Sequence, residues 1–369
     1  MKKINFISLK SSKSRNEKIL KRLDDLIKKS EFIGGSSVEK FENSFSKYVG
    51  SKYCLGVANG TDALEIAIES LNLPKKSEII VPNFTFLSPA EAVVRGGYKL
   101  VLCDVSENGF NLDLESLKKS LSSKTSAIIV VHLFGMRCQM KEIMKIAKDN
   151  KIKVIEDCSQ AHGNKSNKNK HVGSIGDIGT FSFYPTKNLG AFGDAGALTT
   201  DSKKIYSKAK KIANHGRVET YDHILAGRNS RLDSFQAAIL NEKICFLDEQ
   251  NNLRKLQASF YIDQIKKLKL PISILNQDTD KSNVYHQFVL AANNRNEIIQ
   301  KLNNKNVDAK VYYPKTLNKM IAFRGKSSKR YNLKNSELLS KNIFSLPIGP
   351  HLDKKDIENV VIALESCFL

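Results

Sequence analysis

Short apolar runs alternate with amphipathic stretches along much of the sequence, and this alternation constrains the fold more than any other feature. Residues 54–58 form one apolar run, after which apolar side chains recur at i, i+3, i+4 and i+7 from Leu64 to Leu71. That order predicts a strand, a tight turn and a helix. Further strand patterns lie at residues 78–81, 98–104, 126–132 and 153–157. Strands alternating with helices are joined by right-handed crossovers, so the predicted fold class is α/β with a mostly parallel sheet between helices.

The patterns after residue 200 are mainly helical. They comprise a helical run from about 233 to 268, a strand at 285–291, a helix at 295–304, a strand at 309–313 and a closing helix at 357–364. We place a domain boundary inside the long helical run, near residue 245. This predicts a large domain over residues 1–245 and a smaller C-terminal α/β domain over residues 246–369.

The composition is that of an ordinary globular chain, with 41% hydrophobic and 26% charged residues. No apolar run approaches the roughly 18 residues that a membrane helix needs. The N-terminal stretch MKKINFISLK lacks the long apolar core of a secretory signal. These features predict a cytoplasmic protein without a membrane anchor.

The chain is strongly basic: 59 Lys and Arg against 38 Asp and Glu give a formal net charge of +21. Such a charge fits nucleic acid, acidic lipid or anionic small substrates. The excess is mostly Lys, spread along the whole chain, and the most basic patch, KSNKNK at 165–170, has no aromatic residues for base stacking. We therefore expect no nucleic-acid partner.

The six cysteines are far apart in the sequence, and no two of them have the C-x-x-C spacing. This distribution predicts reduced thiols. Cys158 and His162 are four residues apart, but a zinc site needs three or four ligands. We therefore expect no metal.

Ligands of parallel α/β sheets bind beyond the carboxyl ends of the strands, and three strand ends here carry polar residues. The first is NGTD at 59–62, where a helix N-terminus offers a phosphate cradle. A plain helix cap by Thr61 or Asp62 explains the same residues. Both interpretations stay open at this point.

The other two strand ends are EDCSQ at 156–160 and the segment around Lys187. Consecutive strand residues point to opposite faces, so Glu156 and Asp157 cannot form an acid/base pair in one site. Lys187 follows Pro185 in a glycine-rich stretch whose spacing is not that of a dinucleotide-binding motif. Periodicity alone does not distinguish it from the many surface lysines.

Six segments together resemble the DegT/DnrJ/StrS family of pyridoxal-phosphate-dependent sugar aminotransferases, which have the aspartate aminotransferase fold (type I). The resemblance runs from about residue 32 to the C-terminus and is strongest from 54 to 240. The segments are VANGTDAL (57–64), VPNFTFLSPAEAV (81–93), VHLFG (131–135), VIEDCSQAHG (154–163), GDIGTFSFYPTKNLGAFGDAGAL (176–198) and GRNSRLDSFQAA (227–238).

The resemblance implies that Lys187 forms the Schiff base with pyridoxal phosphate and later shuttles protons. Asp157 would face the pyridine nitrogen, Gln160 would lie near the phenolic oxygen, and Phe86 would cover the ring. Relatives that dehydrate the sugar carry His at the Schiff-base position, so Lys187 favours the aminotransferase branch over the dehydratase branch.

The resemblance also implies that Gly60, Thr61 and Ser182 hold the cofactor phosphate. Asn229 would reach that phosphate from the neighbouring subunit, which implies a homodimer with shared active sites. In this family, L-glutamate is the expected amino donor, and pyridoxamine phosphate is the form that links the two half-reactions.

The expected acceptor is a nucleotide-linked keto sugar, in amino-sugar and polysaccharide biosynthesis. The segments NHGR (214–217), ETYDH (219–223) and GRNSRLD (227–233) are most similar to enzymes that aminate 3-keto sugars, which favours C3 over C4. Relatives often place a histidine where Asn318 falls. The candidate substrate residues are Tyr184, His162, Tyr312, Tyr313 and Asn318.

A catalytically inactive, basic regulatory or nucleic-acid-binding relative is the alternative from another class, because fold alone does not fix function. The presence of Lys187, Asp157, Gln160 and Ser182 argues against it.

Overall fold

The computed structural model describes residues 2–10, 13–107, 109–167, 170–275, 277, 282–329 and 331–369. The strands within these ranges are β1 (Tyr53–Val57), β2 (Glu78–Pro82), β3 (Lys99–Cys103), β4 (Thr125–Val131), β5 (Lys153–Asp157), β6 (Lys165–Asn167), β7 (Lys170–His171), β8 (Ile178–Ser182), β9 (Gly196–Thr200), β10 (Arg217–Glu219), β11 (Asp222–His223), β12 (Ser273–Ile274), β13 (Phe288–Ala291), β14 (Ser327–Lys329) and β15 (Ile343–Leu346). The α-helices are α1 (Lys13–Lys29), α2 (Gly35–Val49), α3 (Gly60–Ser70), α4 (Ser88–Arg95), α5 (Leu114–Ser120), α6 (Met140–Asp149), α7 (Lys203–Ala213), α8 (Ser234–Lys243), α9 (Leu247–Lys267), α10 (Arg295–Asn304), α11 (Lys334–Asn342) and α12 (Lys354–Glu365).

An eight-stranded sheet forms the centre of the molecule, in the order β1-β9-β8-β5-β4-β2-β3-β14. β9 pairs antiparallel with both β1 and β8, while the other neighbouring pairs are parallel. The predicted α/β class with a mostly parallel sheet is therefore confirmed. The carboxyl ends of seven strands consequently share one edge of the sheet.

Helices cover both faces of this sheet, which is why its strands appear in the sequence as continuous apolar runs. Successive side chains of a strand enter different cores: Ile79 and Val81 pack on the face covered by α3, α4 and α7, while Ile80 packs on the face covered by α5 and α6. The period-2 geometry of a strand thus distributes each apolar run over two cores.

Four phenylalanines support the strand that precedes Lys187. The ring of Phe45 on α2 meets Phe181 edge-on at 4.8 Å and Phe183 at 5.2 Å, and Phe41 meets Phe183 at 5.3 Å. All four side chains are at most 1% exposed. Edge-to-face pairs at this spacing add to the burial of apolar area. The cluster therefore fixes the position of the carboxyl end of β8, where Ser182 lies.

The C-terminal part forms a second core around the antiparallel sheet β12-β13-β15. The expected strand at 309–313 is not formed: Lys310 makes only an isolated bridge to Ser345. The strand expected from 285 begins at Phe288, because Tyr285 has a positive φ of 43°.

The helical run predicted for 233–268 is divided into α8 and α9 by a 3-10 turn at Ile244–Phe246. The domain boundary near residue 245 coincides with this turn and stays a prediction. One strand of the C-terminal part, β14, belongs to the large sheet, where it pairs parallel with β3. Within the described ranges, no helix is both long enough and apolar enough to cross a membrane.

Replacing Phe45 by Ala should lower the free energy of unfolding by about 3–5 kcal/mol, because four other rings surround the cavity left behind. Tyr221→Ala is the control, since Tyr221 is 93% exposed, and its expected effect is within about 0.5 kcal/mol. Urea unfolding followed by circular dichroism measures both. Equal losses in the two variants would contradict the role of the cluster.

Candidate active site

Polar side chains collect where the parallel strands end. Asn59 follows β1, Asn83 follows β2, Asp157 ends β5 and Ser182 ends β8. Because the strands are parallel, these positions lie along one edge of the sheet, where ligands of such folds bind. The structure therefore groups segments that are far apart in sequence.

Glu156 and Asp157 point to opposite faces of β5, as the strand pattern predicts. The Glu156 carboxylate is fully buried and accepts bonds from His132 Nε2 (3.0 Å) and from the backbone N–H groups of Ile175 (2.8 Å) and Gly176 (2.7 Å). Burial opposes its ionisation, but the hydrogen bond and charge of His132, together with the Gly176 N–H, hold the Glu156 pKa below its ordinary value. Glu156 is thus a structural anchor behind the strand end.

The Asp157 side chain is buried on the other face, where Oδ1 accepts the backbone N–H of Ser159 at 3.1 Å. Its negative charge acts on Lys187 and on Tyr313. A buried carboxylate that no described cation pairs directly is suited to a protonated ring nitrogen.

Gln160 connects the end of β5 to the C-terminal part of the chain. Its Oε1 accepts the Phe134 N–H at 2.8 Å, and its Nε2 donates to the Tyr313 hydroxyl at 3.1 Å. Burial is the main reason that the Tyr313 pKa is raised, so Tyr313 stays protonated and keeps a hydroxyl proton to donate. The half-exposed Phe86 lies beside it, with ring centroids 5.9 Å apart.

Gly60 begins α3 directly against Ser182. A Cβ on Gly60 would lie 2.6 Å from the Ser182 Cβ, so only glycine allows this approach. The helix is capped by Asn59, whose Oδ1 accepts the Asp62 N–H at 2.8 Å, and not by Thr61 or Asp62. The Thr61 hydroxyl meets Ser88 Oγ at 2.8 Å. Backbone N–H groups of a first helical turn beside a serine form a site for a phosphate group.

Lys187 lies after β8 and is half-buried. Burial lowers its pKa to about 8, while the charge of Asp157 acts in the opposite direction. An amine with this pKa is unprotonated far more often at neutral pH than a surface lysine. This property separates Lys187 from ordinary surface lysines, which the sequence pattern did not.

Two candidate substrate residues flank Lys187 with different exposure. Tyr184 is 51% exposed, and its backbone N–H donates to Ser182 Oγ at 3.3 Å. His162 has no exposed surface and packs against Phe181 and Phe183. Burial, reinforced by the charge of Lys187, lowers the His162 pKa to about 3. His162 is therefore a neutral side chain, and its contact with a substrate stays a prediction.

Asn318 belongs to a polar network at the end of β2. Its Oδ1 accepts from Asn83 Nδ2 (3.1 Å) and Thr316 (2.6 Å), and its Nδ2 donates to Glu337 at 2.8 Å. The ring of Tyr312 lies 5.8 Å from that of Phe6 and 5.8 Å from that of Tyr313. The structure thus places Asn318 in a satisfied network, and roles for both residues in substrate binding stay predictions.

Asn229 is exposed on the loop before α8, where its Oδ1 accepts from Arg231 Nε at 3.0 Å. The neighbouring Arg228 forms ion pairs with Glu65 and Glu69 of α3. The loop that carries Asn229 is therefore fastened to the helix whose N-terminus meets Ser182.

His132, Glu156 and Cys158 form a buried group whose ligand atoms lie within 4.8 Å of one another. Hydrogen bonds account for this group. His132 Nδ1 accepts the Cys138 N–H at 3.1 Å and Nε2 donates to Glu156, so both ring nitrogens are engaged. Burial raises the pKa of the Cys158 thiol to about 12, which disfavours the thiolate that a metal requires.

Residues 13–365 match the DegT/DnrJ/EryC1/StrS aminotransferase family. The chain belongs to this family. It is 37% identical over 362 residues to the dTDP-3-amino-3,6-dideoxy-alpha-D-galactopyranose transaminase of Aneurinibacillus thermoaerophilus, and the match covers 98% of each chain.

Two solved structures extend the comparison. DesV of S. venezuelae superposes with a TM-score of 0.94 at 29% identity, covering 99% of this chain and 98% of that chain. NtdA of Bacillus subtilis, solved with bound cofactor PMP, gives a TM-score of 0.91 at 29% identity and covers 100% of this chain and 85% of that chain. The predictions of the family, of aminotransferase chemistry and of pyridoxal phosphate as cofactor are confirmed.

Three observations in this structure fit such a cofactor. A glycine that cannot carry a Cβ brings a helix N-terminus against Ser182. A buried carboxylate at Asp157 acts on Lys187, and the pKa of that lysine is lowered. The chain therefore offers a phosphate cradle, a partner for a protonated ring nitrogen and a reactive amine. The cofactor-binding roles of the individual residues remain predictions.

Gly60→Ala should displace α3 from Ser182, because the new methyl group would lie 2.6 Å from the Ser182 Cβ. We expect a loss of about 1–3 kcal/mol in unfolding free energy and weaker binding of pyridoxal phosphate. Gly109→Ala is the matched control, since its Cβ would meet only Ser106 at 3.8 Å. Thermal unfolding and cofactor titration measure the two effects. Unchanged cofactor affinity in Gly60→Ala would argue against the cradle.

The capture of pyridoxal phosphate by the cofactor-free protein should rise with pH around a midpoint near 8. Only the neutral Lys187 amine attacks an aldehyde, and with a pKa of about 8 roughly one amine in ten is neutral at pH 7. Protonation below the midpoint should slow capture about tenfold per pH unit. The measurement is the initial rate of cofactor incorporation, scored after borohydride reduction.

Asp157→Asn supplies the internal test of that profile. The Asp157 charge raises the Lys187 pKa, so its removal should move the midpoint to lower pH. A midpoint near the ordinary lysine pKa would show that burial does not lower the pKa of Lys187. A midpoint that Asp157→Asn leaves unchanged would show that the charge of Asp157 does not raise it.

Proposed function

We propose that this enzyme transfers an amino group from L-glutamate to a keto carbon of a nucleotide-linked sugar, with C3 favoured over C4. The proposal rests on the half-buried position of Lys187. Burial lowers the pKa of Lys187 to about 8, and the negative charge of Asp157 acts in the opposite direction. A lysine that is neutral for part of the time can act both as a nucleophile and as a base.

Pyridoxal phosphate, when bound, supplies an electron-withdrawing ring that stabilises negative charge on the carbon next to the amino nitrogen. Asp157 would hold the proton on the ring nitrogen. Gln160 and Tyr313 would offer an amide and a hydroxyl to the cofactor, and Phe86 would cover its ring. Lys187 takes a proton from the donor carbon and returns one to the acceptor carbon, a role that contributes typically about 10²–10⁴ in rate.

The first turn of α3 and Ser182 would hold the cofactor phosphate. Gly60 and Thr61 supply backbone N–H groups, and the helix dipole favours an anion there. Asn229 is exposed on its loop, so we assign it to the phosphate of the neighbouring subunit. This assignment makes the active enzyme a homodimer with two shared sites.

The ring position rests on sequence similarity: a relative of 37% identity is named as a transaminase of a 3-amino sugar. Tyr184, Tyr312, Tyr313, His162 and Asn318 are the residues from which we expect sugar contacts. The pathway class is amino-sugar biosynthesis, with a polysaccharide as the expected destination. The six cysteines are free thiols, which suits the cytoplasm that we propose as its location.

Product analysis with purified holoenzyme tests the function. Incubation with L-glutamate and nucleotide-linked 3-keto or 4-keto sugars should give an amino sugar, with the 3-keto sugar turned over faster. Lys187→Ala should lose more than about 10³-fold in turnover, and Lys187→Arg, which keeps the charge, should not restore it. Both variants should unfold at the wild-type temperature.

A sugar product that has lost oxygen without gaining nitrogen would assign the enzyme to the dehydratase branch. Wild-type turnover by Lys187→Ala would refute the catalytic role of this lysine. Salt-dependent nucleic-acid binding without cofactor binding would favour the regulatory alternative.

A further inference from the structure

A cavity of about 540 Å³ adjoins Lys187. It lies between the loop after Lys187, helix α9 and the N-terminal segment at 6–10. Of the residues assigned above to cofactor or substrate, only Lys187 lines it. Its volume is within the range of about 300–1,000 Å³ that is typical of small-molecule sites. The cavity is therefore a second space that shares one reactive side chain with the cofactor site.

The walls of this cavity carry four cationic side chains besides Lys187 and a single carboxylate, that of the exposed Glu249. These four are Lys10, Arg15, Lys243 and Arg254. Lys10 is exposed, whereas Lys243 and Arg254 are partly buried, and within the described ranges no salt bridge neutralises either of these two. Positive charge that is withdrawn from water without a counter-ion is costly. An anionic ligand would relieve that cost.

Lys243 and Arg254 are oriented by carbonyl groups. Lys243 Nζ donates to the Gly190 carbonyl, and Arg254 Nη1 donates to the carbonyls of Tyr285 (3.2 Å), His286 (3.4 Å) and Ile348 (3.1 Å). Carbonyl dipoles fix the position of a cation but leave its net charge in place. Burial lowers the pKa of Arg254 to about 10 and that of Lys243 to about 8, so both side chains are still mostly protonated at neutral pH. The carbonyl groups thus orient both side chains, which can then bind an oxyanion.

His286 contributes an acceptor to the same cavity. Asn188 Nδ2 donates to Asn251 (2.9 Å) and Val284 (3.1 Å), so its Oδ1 is the group that faces His286 Nδ1 at 3.0 Å. His286 Nδ1 therefore carries the proton, and Nε2 carries a lone pair. Burial first, and the charges of Lys187 and Arg254 next, lower the His286 pKa, so the ring is neutral. The cavity thus combines cations for an anion with an acceptor for an N–H group.

We infer that this cavity binds the carboxylates of the amino donor and directs its amino group towards Lys187. The ligand class is an amino acid with a second carboxylate, because such a molecule meets both Lys243 and Arg254 and also offers N–H donors to His286. This inference rests on the proposed function. The diphosphate of the sugar nucleotide shares the oxyanion chemistry but lacks the N–H donor.

Calorimetric titration of the holoenzyme at low salt tests the inference, with glutarate as an unreactive dicarboxylate and inorganic pyrophosphate as the competing probe. Glutarate should bind, and Lys243→Gln and Arg254→Gln should each weaken it about tenfold or more, the effect of losing a charge-assisted hydrogen bond. Lys267→Gln removes one charge from the exposed last turn of α9 and should change the affinity less than twofold.

Absence of glutarate binding to the wild type, or wild-type affinity in a folded Lys243→Gln, overturns the inference. Arg254 bridges three carbonyls, so Lys243→Gln keeps the test decisive if Arg254→Gln does not fold. Tight pyrophosphate binding that displaces glutarate and is lost in the same variants assigns the cavity to the diphosphate and overturns the donor assignment. Borohydride fixation of the cofactor on Lys187 in the same preparations tests the proposed function separately.

Discussion

The parallel direction of the central strands is the constraint on which the site depends. β4, β5 and β8 are paired so that Val131, Asp157 and Thr180 lie side by side near the carboxyl ends of the strands. Strand alternation then sends Glu156 behind the sheet and Asp157 to the front. Glu156 fastens the loop at 175–176 and His132, which leaves Asp157 as the charge that acts on Lys187. The packing of one strand thus separates a structural carboxylate from a functional one.

Lys187 lies between opposing electrostatic influences. Burial favours its neutral amine, and the negative charge of Asp157 favours its ammonium form. On the cavity side, Lys243 and Arg254 add positive charge, and a bound dicarboxylate would neutralise part of it. Arrival of the donor would therefore change the electrostatic environment of the amine that reacts next. The proposed cavity and the proposed cofactor site act on the same nitrogen.

Much of this arrangement could be predicted from the sequence, because local periodicity determines which elements form. The alternation that predicts strands and helices is preserved at β2, β5 and α6, whose side chains enter the cores as their spacing requires. Local patterns predict the structure less well where contacts between distant parts of the chain determine it. The apolar stretch at 309–313 makes one isolated bridge, and the cap of α3 is Asn59, because only this side chain lies before the first turn.

The cationic cavity could not be predicted in the same way. Lys243 and Arg254 belong to helices with many other charges, and their partners are carbonyls of residues between 31 and 94 positions away. Main-chain carbonyls have no sequence signature. His286 becomes an acceptor only through the amide order that Asn251 and Val284 impose on Asn188. Such properties arise from tertiary packing alone.

The uncompensated cations also indicate how stability and function are linked in this fold. Withdrawing Lys243 and Arg254 from water destabilises the free protein, and the carbonyls that orient them recover only part of that free energy. A ligand that binds the folded state and supplies the missing negative charge stabilises it in proportion to the logarithm of its concentration. The charges that weaken the empty enzyme are then the ones that make it selective for a dicarboxylate over an uncharged amine donor.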